Sequence, residues 1–154
     1  MIKNMDIHES LVPILQEINF ANRYKAICEK HSDFENSMND YNRDFIKDYV
    51  TSKGIKVTYI KSESFFKIIE NVGGLKVQFN IIPKRGFLQF VWDVTKGGDR
   101  LNLGWGMWES ITRELERIEV KKPLFTSIEE LEEILQEALS IYEDFKKGLL
   151  ASQS

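Results

Sequence analysis

Apolar residues at Leu11, Ile14, Leu15, Ile18, Ala21, Tyr24, Ile27 and Cys28 recur at helical spacing and predict one amphipathic helix, with Pro13 tolerated in its first turn. Phe34, Met38, Tyr41, Phe45, Tyr49 and Val50 predict a second, which Gly54 stops. The period then shortens to two. Ile55, Val57 and Tyr59 alternate with Lys56 and Thr58, and Leu75, Val77, Phe79 and Ile81 alternate with Lys76, Gln78 and Asn80, as half-buried strands do. SFFKII, from Ser64, and FLQFVWDV, from Phe87, complete a set of four strands.

The connections at Lys61–Glu63, Asn71–Gly74 and Pro83–Gly86 are too short for parallel crossovers, which need about a dozen residues, so the strands predict an antiparallel meander. The fourth strand is apolar on both faces. Phe87 and Val91 point one way, and Leu88, Phe90, Trp92 and Val94 the other, so either both faces are covered or one exposes an aromatic patch. Trp108, Ile111, Leu115 and Ile118 predict a short helix ending before Pro123. In the last helix the buried stripe runs Ile128, Leu131, Ile134, Leu135, Ala138, Ile141, Tyr142, Phe145 and Leu149. Thr126 or Ser127 caps its start through the spacing to Glu129 or Glu130, and Gly148 marks its end. The expected fold is a single α+β domain over residues 1–154, ordered ααββββαα.

Length and composition support one self-sufficient core: 154 residues, 42% of them hydrophobic and 29% charged, need no disulfide or metal staple. Cys28, the only cysteine, cannot close an internal disulfide and falls on an apolar stripe, which suits a reducing cytoplasm and a buried thiol better than a nucleophile. The amino-terminal residues lack the apolar run of a secretory signal, and no stretch approaches the ~18 apolar residues of a membrane span. A cytoplasmic location without membrane association is therefore expected.

Charge divides along the chain. Residues 53–100 carry nine basic and four acidic side chains, a net of +5, while the remainder carries −8. Such charges can simply solvate exposed faces, or the acidic helices, with Asp40, Asp44 and Asp48, can steer a basic partner. Lys56, Lys61, Lys67, Lys76, Lys84 and Arg85 could instead meet phosphates, but the sequence pI near 5.5 and the lack of a nucleic-acid-binding motif argue against nucleic acid.

Phe87 to Trp108 holds all three tryptophans and four of the nine glycines. Its glycines do not form a phosphate loop, since Trp105-Gly106-Met107 stands where a Lys-Ser/Thr pair is needed. Either Trp105 and Trp108 pack on the sheet over glycine-permitted turns, or Arg100, Trp105 and Trp108 anchor a protein partner, tryptophan and arginine being enriched at interface hot spots. His8 and His31 lie at no metal-ligand spacing, so neither metal nor cofactor is expected. Asp93 and Glu109 could do acid–base work if they converged in an apolar pocket beside Trp92.

The segment around Trp92-Asp93 and Gly104-Trp105-Gly106-Met107-Trp108-Glu109, in an acidic α+β domain of this size, resembles the immunity proteins of bacterial polymorphic toxin systems. The resemblance implies a cognate protein toxin as partner, neutralised by stoichiometric occlusion rather than turnover. The alternatives are a small-molecule-binding or hydrolytic domain with a pocket between the sheet and the final helix, Asp93 and Glu109 at its mouth, and a chaperone-like or structural interaction domain.

Overall fold

The structure, a computed structural model, describes residues 6–153. The period-two segments form one antiparallel sheet in sequential order: β1 (Thr58–Ile60), β2 (Phe65–Val72), β3 (Leu75–Lys84), β4 (Phe87–Lys96) and β5 (Asp99–Leu101). The antiparallel α+β architecture is as expected, but the meander has five strands. Gly97 and Gly98 take φ values of +57° and +90° between Lys96 and Asp99, which face each other in the ladder. That two-residue turn, with both centres left-handed, matches the twist of the flanking strands and folds the glycine segment back as a hairpin.

The amino-terminal helical pattern is interrupted. The helices α1 (Val12–Glu17) and α2 (Phe20–Lys30) are separated at Asn19, whose φ of +58° ends one helix and starts the next. Asparagine is among the few residues that tolerate this conformation, and apolar spacing alone does not register it. The second expected helix is also divided. Only a 3-10 turn at Phe34–Asn36 and the helix α3 (Asp44–Ser52) form. Between them Met38 N–H donates to the Phe125 carbonyl at 2.8 Å, so this stretch is held by a distant backbone rather than by its own turns.

The helix α4 (Trp108–Glu116) stops at Arg117, φ +57°, which leaves Ile118 outside it. The chain then returns along the free edge of β4. Leu88 N–H donates to Pro123 O and Trp92 N–H to Gly106 O, both at 2.9 Å, so two loops continue the sheet where β5 ends. The last helix, α5 (Ile128–Ser152), starts at a Ser127 cap: Ser127 Oγ accepts from Glu130 N–H at 3.1 Å, while Glu130 Oε1 reaches one residue past the cap and accepts from Thr126 N–H at 2.7 Å. It does not end at Gly148. A Cβ there would lie 2.6 Å from Ile14 Cγ2, so the glycine lets α1 seat against α5.

Alternate residues of β2, β3 and β4 bury the inner sheet face under α2, α4 and α5. Phe66, Ile68, Val77, Phe79, Ile81, Leu88, Phe90, Trp92 and Val94 meet Phe20, Tyr24, Trp108, Tyr142 and Phe145. The outer face is open enough to leave Ile69 exposed. No helix among the described residues is long and apolar enough to cross a membrane.

Candidate functional site

The tryptophans divide by environment. Trp92 stacks on Phe145 with ring centroids 4.0 Å apart and planes within 7°, and Trp108 lies 4.8 Å from Trp92 and parallel to Phe79. Both are core residues, so Trp108 is removed from the expected anchors and Trp92 from any pocket. Their indole N–H groups are enclosed without a partner among the described residues, so aromatic packing and burial, not hydrogen bonding, hold them. These rings with Tyr142 fill the space between sheet and α5 where a pocket was the alternative expectation.

Trp105 is 54% exposed. Its backbone is tied on both sides: Gly106 N–H donates to Leu103 O at 2.9 Å, Gly106 O accepts from Trp92, Met107 bridges to Val91, and Leu103 bridges to Ile7. Gly106 sits at φ +85°, and a Cβ on it would lie 2.7 Å from the Trp92 carbonyl oxygen. The loop can pass this close to β4 only because that residue is glycine. Arg100, on the neighbouring β5, places Nε 3.1 Å from Asp93 Oδ1, with both side chains well solvated.

Asp40, Asp44 and Asp48 are exposed but stand elsewhere. Asp40 precedes α3 rather than lying on it, and Arg43, at the start of α3, packs its guanidinium 4.8 Å over the Tyr59 ring of β1. Asp44 and Asp48, on α3, thus stand on the β1 side of the sheet, and the tryptophan loop stands against β4 on the β5 side. The structure does not bring the two expected halves of an interface together.

Nor do Asp93 and Glu109 converge. Asp93 pairs with Arg100, whereas Glu109, in the first turn of α4, accepts a hydrogen bond from the Tyr24 hydroxyl through Oε2. Burial pushes the Glu109 carboxyl above its ordinary range, although Tyr24, Lys122 and Arg113 act against the rise. Burial also lifts the Tyr24 hydroxyl well above its usual value, helped by Glu109, and pushes the neighbouring Cys28 thiol up to about 12. Cys28 is therefore a neutral, buried thiol.

Glu109 Oε1 is enclosed with no partner among the described residues. It lines a cleft of about 620 Å³ at the end of the β3–β4 hairpin. Phe34, Ile82, Phe87 and Val120 supply the apolar wall, and Lys84, Arg85, Lys121 and Lys122 the cations. None of these four forms a salt bridge among the described residues. Sequence reasoning treated Lys84 and Arg85 only as part of a basic strand surface and passed over Lys121 and Lys122. The visible signal was two basic pairs, one at a hairpin turn and one before Pro123; their convergence depends on the return of the chain along β4.

No family model, curated protein or solved structure matches this chain. Among the described residues, no group of three or more His, Cys, Asp or Glu side chains could hold a metal ion.

Proposed function

We propose that this chain is a partner-binding module that presents Trp105 to another protein and acts by stoichiometric occlusion, in the manner of the polymorphic-toxin immunity proteins its aromatic segment resembles. One observation carries the reading: a tryptophan more than half exposed on a backbone already fixed by hydrogen bonds and by Gly106. An ordered aromatic side chain loses little freedom on binding and offers a large apolar area, the combination found at interface hot spots.

The nearby charge is mixed. Arg100 faces Thr95 across the ladder and Thr95 faces Lys76, but Arg100 is paired with Asp93 and Asp99 stands opposite Lys96, so charge at this edge selects no one sign of partner and the apolar ring carries the contact.

The test is recovery of tagged protein from its native host with intact-complex mass, followed by co-expression of the recovered partner with and without this chain. A 1:1 complex lost in Trp105→Ala, and a partner whose toxicity this chain suppresses, support the proposal. A complex that survives Trp105→Ala removes the loop from it.

A further inference from the structure

The tryptophan loop leaves unexplained the cleft between the β3–β4 hairpin and residues 117–122. Its volume of about 620 Å³ falls within the roughly 300–1,000 Å³ of sites that enclose small molecules. Phe34 and Phe87 form one wall, ring centroids 6.1 Å apart, and Lys121 Nζ lies 5.2 Å from the Phe34 centroid. Four cations that form no salt bridge among the described residues converge on the same space, with Lys122 near enough to Glu109 to act on its carboxyl. Like charges gathered around a cleft repel one another, and an anion placed among them relieves that repulsion.

The hairpin that carries two of these cations is closely determined. Arg85 and Gly86 take φ values of +55° and +83°, and a Cβ on Gly86 would lie 2.9 Å from Ser37 Cβ, so the turn is pressed against the segment that follows Phe34. On the inner side, Glu109 has one carboxyl oxygen engaged by Tyr24 and the other enclosed and unpartnered.

We infer that this cleft binds a small amphipathic anion: an apolar, preferably aromatic body against Phe34 and Phe87, and an anionic group among Lys84, Arg85, Lys121 and Lys122. The site is separate from Trp105, which does not line it.

Anilinonaphthalene sulfonate has both features and brightens in apolar surroundings, so its fluorescence titration tests the assignment. Saturable binding at one site per chain is expected. It weakens about tenfold or more when Lys121 and Lys122 are both changed to Ala, as loss of charged hydrogen bonds implies. It also weakens in Phe34→Ala, at an exposed position that folding tolerates, and is unchanged in Trp105→Ala. Full binding to the double lysine variant, or loss in Trp105→Ala, overturns the site. Equal competition by inorganic phosphate, with no effect of Phe34→Ala, overturns the ligand class and leaves a simple anion patch.

Discussion

Gly148 lies against Ile14 so closely that a single added carbon would stand 2.6 Å from Ile14 Cγ2. Propensity and packing therefore oppose each other at one position near the carboxyl-terminal end of α5. Alanine is favoured over glycine in a helix by about 1 kcal/mol, but overpacking a filled contact costs about 1–3 kcal/mol. Gly148→Ala is expected to lower stability by about 1 kcal/mol in the parent and to cost less, or nothing, in an Ile14→Ala background, which itself loses about 2–5 kcal/mol with the buried side chain. A urea-denaturation cycle over the two positions measures the coupling; additive effects would show that the contact can relax.

The tryptophans should separate by stability as they do by environment. Trp108→Ala removes a fully buried ring from the aromatic cluster and is expected to cost about 3–5 kcal/mol, whereas Trp105→Ala should stay within about 0.5 kcal/mol. Quenching by iodide gives an independent reading: it should reach one of the three tryptophans, and Trp105→Phe should abolish that accessible fraction.

Gly106→Ala is expected to damage both stability and the presentation of Trp105. It places a side chain at φ +85° and against the Trp92 carbonyl, so a loss of about 2 kcal/mol or more follows from strain and overlap together. The accessible tryptophan signal should change in the same variant. Wild-type stability with unchanged quenching would mean that the loop has another path past β4.

Two glutamates should give opposite pH dependence. Burial acts to raise the Glu130 carboxyl, but its hydrogen bonds with His31, 2.7 Å away, and with Thr126 hold it below its ordinary value of 4.5. Its stabilising contribution is present above that value and is lost as pH falls through the depressed one. Glu109 is raised, so its contribution is full below 4.5 and is lost as pH rises through the folded-state value. Glu130→Gln should therefore cost most near neutrality and little in acid, whereas Glu109→Gln, still able to accept from Tyr24, should gain on the parent as pH rises from acid to neutral. Denaturation midpoints across that range check both signs, and parallel pH curves for the parent and either variant would contradict that residue's assignment.

Much of the fold was legible from spacing because burial imposes its period directly. Alternation along Leu75–Ile81 marked β3, and the Ser127 to Glu130 spacing marked the start of α5, since both signals lie within a few residues of what they determine. The Gly97-Gly98 turn was equally local, but its glycines also suggest a loop, and the strand it opens has only three residues. The apolar stripe before Cys28 hid the break at Asn19 because a left-handed residue changes direction without disturbing composition. The site was less legible for the same reason. Residue type nominated Trp105 and Trp108 alike, and only packing against Phe79 and Trp92 buried one while the tie between Gly106 and β4 left the other in solvent.

By itself the sequence determined the antiparallel α+β architecture, the buried face of each long element and the start of α5 to within one residue, because these follow from side-chain periodicity and nearest-neighbour hydrogen bonds; the choice of Ser127 over Thr126 as the cap came with the structure. Only the tertiary structure decided that Asp93 and Glu109 part company, that the acidic residues stand across the sheet from Trp105, and that two distant basic pairs meet around Glu109. The last of these depends on where the chain returns after α4, and that path is set by backbone bonds from Leu88 to Pro123 and from Phe125 to Gly86, between residues far apart along the chain.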